Sequence, residues 1–153
     1  MIHFVTVYKK DTGEIVQCSN FTCPEDPDYI QANYQARVAA FGSEDHDYFV
    51  GETRPGDQYI AILDERKIAA DRPILEVKVD KTTIAAGGED EATLTGLPDP
   101  CEIVIDDPDP LVATTIIQVE GGGFIFSADD PGIYTVEVRR FPFLPFKIEF
   151  TAT

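Results

Sequence analysis

Five aspartates in two short stretches carry the densest candidate chemistry in this sequence. Asp106, Asp107 and Asp109 lie in Asp106-Asp107-Pro108-Asp109-Pro110, and Asp129 and Asp130 lie in Asp129-Asp130-Pro131-Gly132. Carboxylate oxygens are hard ligands, and two such loops meeting at one end of a fold would suit Ca²⁺. No Asp-x-Asp-x-Asp-Gly spacing is present, so solvated acidic loops are the favoured expectation, with no cofactor. Paired carboxylates also serve glycosidases, but such sites sit in a cleft beside aromatic sugar platforms. The chain has no Trp.

Other chemistry is thinner. The two histidines, His3 and His46, stand far apart in sequence and outside any HExxH or CxxC context. His46, in Glu44-Asp45-His46-Asp47, reads as part of a solvated loop. Gly121-Gly122-Gly123 has no Lys after it and opens no helix, so it is not a phosphate loop. No GxSxG nucleophile motif occurs. Cys18, Cys23 and Cys101 are odd in number, which argues for free thiols over a disulfide framework; Cys18 and Cys23 are close enough in sequence to meet across a turn.

The bulk properties exclude several partners. The net charge is -16, and both halves are acidic: residues 1–73 hold seven Lys/Arg against 13 Asp/Glu, and residues 74–153 hold five against 15. A protein that binds a duplex or an anionic bilayer needs a basic face, so neither nucleic acid nor membrane is expected. With 43% hydrophobic residues and a mean hydropathy of -0.12, the chain has material for a core. No window approaches the ~20 apolar residues of a membrane span. The apolar start, Met1 to Tyr8, precedes Lys9 and Lys10, the reverse of a signal peptide. The expectation is synthesis in a cytoplasm and export only within a larger particle.

Two regions must position these residues. In the first, Ile2 to Tyr8 and Glu14 to Cys18 read as a hairpin across Asp11-Thr12-Gly13. Asp28 is placed to cap a short helix through Tyr29, Ile30, Ala32 and Asn33, with Arg37 to Phe41 leaning towards strand. Gly42 to Asp47 reads as a loop, and Tyr48 to Gly51 and Gln58 to Leu63 as strands. Asp64-Glu65-Arg66-Lys67 turns the chain into Ile68-Ala69-Ala70, and Asp71-Arg72-Pro73 is the expected junction.

From Ile74 onward the pattern is regular. Leu75, Val77 and Val79 alternate with Glu76, Lys78 and Asp80, and about seven short strands separated by turn signals follow to the end. That is the signature of an antiparallel sandwich. The fold expected is mainly β: a small α+β, hairpin-containing N-terminal domain over 1–73, then an immunoglobulin-like sandwich over 74–153. Its core is expected to include Leu75, Val77, Leu94, Ile103, Ile105, Phe124, Phe126, Tyr134, Val136 and Ile148.

Asp130-Pro131-Gly132-Ile133-Tyr134-Thr135-Val136 resembles the Asp-x-Gly-x-Tyr-x-Cys stretch of immunoglobulin domains, with Val136 in the cysteine position. The resemblance implies a tyrosine corner: Tyr134 buries its ring and returns its hydroxyl to the main chain, and Gly132 takes a conformation that a side chain resists. The run Thr82 to Pro98, with Gly87-Gly88-Glu89-Asp90, Ala92-Thr93-Leu94-Thr95 and Gly96-Leu97-Pro98, resembles the opening of Ig-like domains in tailed-bacteriophage virion proteins. Phe141-Pro142-Phe143 fits the same pattern. In the first half Thr12-Gly13, Cys23-Pro24 and Arg72-Pro73 resemble small phage tail and fibre-like proteins.

The resemblance implies a non-enzymatic virion component of the tail, baseplate or fibre region, with other virion proteins as partners and a homo-oligomer or ring-docked state. The alternatives are a capsid decoration protein and an Ig-like module that binds a host-surface glycan. A small hydrolase is disfavoured because no site for it is visible. A unit of about 70 residues buries little of its surface, and this one carries Tyr29, Tyr34, Phe41, Tyr48, Phe49 and Tyr59. These aromatics are the interface candidates, since aromatic groups are enriched in interface cores. The competing expectation is that they form the unit's own αβ core.

Overall fold

The computed structural model describes all residues from Met1 to Thr153 and divides into two compact units, Met1–Arg72 and Pro73–Thr153. The division falls within the Asp71-Arg72-Pro73 punctuation.

The first unit is built on strand β1 (Ile2–Lys9). It pairs antiparallel with β2 (Ile15–Thr22) on one side and β3 (His46–Val50) on the other, giving the order β2-β1-β3. Val5, Thr6, Val7 and Tyr8 are all buried. A central strand covered on both faces shows no alternation, and this one has a cover on each. Helix α1 (Pro27–Ala39) covers the face of Val5 and Val7: Tyr34 meets the rings of Phe21 and Tyr48 at 5.7 and 5.2 Å, and Arg37 stacks on Phe21 and donates to Ser19 Oγ at 2.9 Å. On the other face Thr6 Oγ1 donates to the Gly51 carbonyl at 3.0 Å and lies 2.9 Å from Thr53 Oγ1.

The helix corrects the sequence expectation at both ends. Its cap is Asp26, not Asp28: the Asp26 carboxylate accepts from the amides of Asp28 and Tyr29, with Pro27 in the first turn where no amide is needed. At the other end Arg37 to Ala39 is helix, not strand. The stretch Gln35-Ala36-Arg37 favours helix intrinsically, and Tyr34 and Val38, four apart, bury together on the sheet. Strand β3 also begins at His46, two residues before the expected start.

A hairpin completes the unit. Strands β4 (Gln58–Leu63) and β5 (Arg66–Asp71) pair across Asp64-Glu65, both with positive φ (49 and 62), as a two-residue hairpin turn requires. It is held at Gly13, whose carbonyl accepts from the Ile60 amide at 2.8 Å, and Ile60 is buried.

The second unit is an immunoglobulin-like β-sandwich with no helix. Its strands are β6 (Lys78–Val79), β7 (Thr83–Ile84), β8 (Ala92–Thr95), β9 (Cys101–Asp106), β10 (Thr115–Val119), β11 (Gly123–Phe126), β12 (Gly132–Arg139) and β13 (Phe146–Ala152). One sheet runs β10-β9-β12-β13-β7 and the other β11-β8-β6; all pairings are antiparallel except β13 with β7. Ala92, Leu94 and Phe126 from the smaller sheet share one core with Ile103, Val136 and Phe150 from the larger. Of the expected core residues, Leu75, Leu94, Ile103, Phe126, Tyr134 and Val136 are buried, while Val77, Ile105, Phe124 and Ile148 pack against that core partly buried.

The tyrosine corner is present. Tyr134, at the start of β12, buries its ring against Phe126 and donates its hydroxyl to the Asp130 carbonyl at 3.0 Å. Gly132 has φ +157, and a Cβ there would stand 2.4 Å from Pro108 Cγ, so only glycine lets these two loops close. Tyr134→Phe keeps the ring and removes the hydrogen bond, and is expected to cost about 1 kcal/mol. An unchanged urea midpoint would show that the hydroxyl contributes nothing.

Candidate binding surfaces

The aromatics of the first unit divide into three groups. Tyr34 is 5% exposed and is consumed in the unit's own core. Tyr48, Phe49 and Tyr59 are half-buried. Tyr29, 52% exposed, and Phe41, which leans on the His46 ring at 5.9 Å, lie on the surface. Tyr48 is held in place by Gln31, whose amide exchanges hydrogen bonds with its hydroxyl.

The more prominent apolar surface is aliphatic. Ile62 is 61% and Leu63 58% exposed, and Ile68 is also exposed. In β5 successive side chains alternate sides, so Ile68 points away from Lys67; the register Ala61↔Ile68 and Leu63↔Arg66 puts Ala61 and Leu63 on that same outer side. The outer side of the β4–β5 hairpin thus presents Leu63 and Ile68 beside Arg66, while Ile62, paired with Lys67, is exposed on the inner side. The sequence shows strands flanking Asp64-Glu65 but not which side of them lacks a cover.

Lys67 fastens the inner side. Its ammonium donates to Asp47 Oδ2 at 2.6 Å and to the Tyr48 carbonyl at 2.9 Å, and lies 5.5 Å from the centre of the Tyr8 ring. The Tyr8 hydroxyl donates to the same Asp47 oxygen at 3.2 Å. Burial raises the Tyr8 phenol above its ordinary pKa, against the pull of Lys67. Burial pushes the Asp47 carboxyl upward, but hydrogen bonds from Lys67 and the Tyr48 amide outweigh it and the net shift is down. For Lys67 burial pushes downward, and the bonds to Asp47 and Tyr8 carry the net shift up.

These directions set a pH dependence. The depressed Asp47 carboxyl contributes stability that is present above the unfolded value of about 4 and fades as pH falls through its folded value. The raised Lys67 and Tyr8 contribute below about pH 10 and fade as pH rises through their folded values. The pair is about one-third exposed, which discounts its worth, so Lys67→Met is expected to cost about 1–2 kcal/mol near neutrality. The variant's acid limb should be shallower and its alkaline limb should keep only the Tyr8 part. Urea denaturation across a pH series checks this, and two unchanged limbs would contradict it.

The acidic loops of the second unit come together only in part. Asp107, Asp129 and Asp130 line one cavity of ≈ 390 Å³, while Asp106 accepts from Thr114 Oγ1 at 2.7 Å and Asp109 from the Leu111 amide at 2.9 Å. Asp107 accepts from the Asp109 amide at 2.8 Å. No group of three or more His, Cys, Asp or Glu side chains is placed to hold a metal ion. The histidines sit at opposite ends of β1, since His3 is on it and His46 pairs with Lys9; six residues of strand separate them by about 20 Å. Cys18, Cys23 and Cys101 are all free thiols, with Cys23 and Cys101 buried. No helix is long and apolar enough to cross a membrane.

Comparison with protein-family models and with curated proteins finds no match for this chain.

Proposed function

We propose that this chain is a non-enzymatic structural component of a tailed-phage virion, associated with the tail, baseplate or fibre. In this reading Met1–Arg72 holds the attachment surface and the Ig-like Pro73–Thr153 unit makes further contacts. The observation that carries it is the pair of neighbouring exposed aliphatic side chains, Leu63 and Ile68, on the outer side of the β4–β5 hairpin. A two-stranded hairpin also has strand edges that a neighbour in a ring or trimer would cover. The Tyr134 corner and the Thr82–Pro98 resemblance support the virion setting.

The test uses the full chain in assembling phage particles. Leu63→Glu combined with Ile68→Glu should abolish incorporation while leaving the circular dichroism spectrum unchanged. Immunogold labelling of wild-type particles should mark the tail. Absence of the chain from purified particles, or full incorporation of the doubly charged variant, would overturn the proposal; labelling of the head would shift it to capsid decoration.

A further inference from the structure

A second surface lies in the Ig-like unit, on a different part of the chain from the hairpin, and its test does not depend on the virion reading. Strand β11 ends the sheet β11-β8-β6 and β10 ends the sheet β10-β9-β12-β13-β7, so each has one side with no strand neighbour. Residues of both strands line the ≈ 390 Å³ cavity, a slot into the open side of the sandwich. The continuous run from Phe124 to Asp130 supplies seven of its eleven lining residues, and Ile105, Asp107, Ile117 and Tyr134 supply the rest.

The slot has two chemical parts. Its floor is apolar: Phe126 packs edge-on to Tyr134 at 5.5 Å, Phe124 and Ile105 are only partly buried, and Ile117 faces them from β10. Its rim is anionic. Asp107, Asp129 and Asp130 make no ion pair, and no Lys or Arg lines the slot. The negative field is felt nearby, where the Tyr134 phenol is raised first by burial and then by Asp107 and Asp130.

We propose that the free edge of β11 docks an extended segment of a partner protein, with apolar residues at alternate positions and a Lys or Arg cluster at one end. Strand addition supplies the main-chain hydrogen bonds. Period-two geometry sends every second side chain into the slot over Phe124 and Phe126. The basic end meets Asp129 and Asp130, three and four residues beyond the end of β11, and Asp107, which lines the same slot. An acidic or uniformly polar segment meets repulsion at the rim or leaves the floor unfilled.

The experiment titrates the full chain with synthetic peptides and follows backbone amides by NMR. The probes are Lys-Lys-Val-Thr-Val-Thr-Val and its reversed sequence, with Glu-Glu in place of Lys-Lys as one control and Ser in place of Val as another. One basic–apolar orientation should bind and shift the amides of residues 123–130, and both controls should fail. Asp129→Asn and Asp130→Asn should each weaken binding about two- to fivefold, as expected for a rim ion pair. Neither substitution touches the core, so folding is retained. Failure of both basic–apolar peptides to bind, equal binding by the serine control, or shifts centred away from β11 would each overturn the proposal.

Discussion

Phe150→Ala is expected to cost the Ig-like unit about 3–5 kcal/mol, the usual range for deleting a buried aromatic ring. Phe150 is fully buried at the centre of β13 and stacks on Phe126 at 4.8 Å, so its loss removes the contact between the two sheets as well as its own burial. The neighbours cannot collapse into the gap. Leu94, Ile103 and Val136 are fixed in β8, β9 and β12 by strand pairing. Domains of this size hold only about 5–15 kcal/mol in total, so the variant stands near the limit of folding. Urea denaturation of the full chain, with hydrogen exchange at β12 and β13 amides, measures the loss. A cost below about 1 kcal/mol would mean that the two sheets do not share the core described here.

The sandwich was legible in the sequence because most of its strands bury one face only, β9 with Ile103 and Val104 both buried being the exception. Leu94, Ile103, Val136 and Tyr134 stand out by alternation, and Gly132 with Tyr134 marks the corner. Phe150 shares the alternation of Phe146 and Ile148 in β13, whereas Ile84 belongs to the same core but lies in a two-residue strand too short to show a period. The first unit resisted the same treatment. Val5 to Tyr8 is buried on both faces, which erases period two, and a continuous apolar run gives no clue to what covers it. Arg37 to Phe41 misled because Val38 and Phe41 suggest strand locally, whereas Tyr34 and Val38 are paired by tertiary packing that the local pattern does not contain.

The surfaces were legible in a different measure. The sequence showed the acidic loops, and the structure places three of the five carboxylates at one slot, leaving Asp106 and Asp109 to loop hydrogen bonds. The aromatic candidates were chosen by residue type, and Tyr34 was lost to the core by its place on α1. The exposed aliphatic pair on β4–β5 was missed because Leu63 and Ile68 look like ordinary strand residues. Their exposure is a matter of topology: the hairpin is covered at Ile60 and Lys67 on one side, while its turn end is open on both, with Ile62 exposed on the Lys67 side and Leu63 on the other.

That topology turns on one glycine, and its substitution carries the second large expected effect. Gly13 closes the β1–β2 turn at φ +78, and a Cβ built there would lie 2.0 Å from the Ile60 carbonyl oxygen. The same residue's carbonyl accepts the Ile60 amide at 2.8 Å, and the adjacent Glu14 bridges to Tyr59. Gly13→Ala therefore adds two costs: about 1–2 kcal/mol for an L-residue in the left-handed region, and about 1–3 kcal/mol for forcing backbone away from backbone. Gly42→Ala is the control, because Gly42 also has positive φ (+102) but nothing within 4 Å of its Cβ, so it bears only the first cost. The expected result is that Gly13→Ala loses about 2–5 kcal/mol and Gly42→Ala about 1–2, with Gly13→Ala also accelerating hydrogen exchange at the Ile60 and Tyr59 amides. Because Gly13 and Lys67, with the Glu14–Tyr59 bridge, help to hold the hairpin to the sheet, displacing β4 also displaces Leu63 and Ile68, and under the proposed function particle incorporation should fall with it even at temperatures where the unit stays folded. Equal costs for the two glycine variants would show that β4 is free to move away from the β1–β2 turn, and the hairpin would then be a mobile arm, not a fixed attachment face.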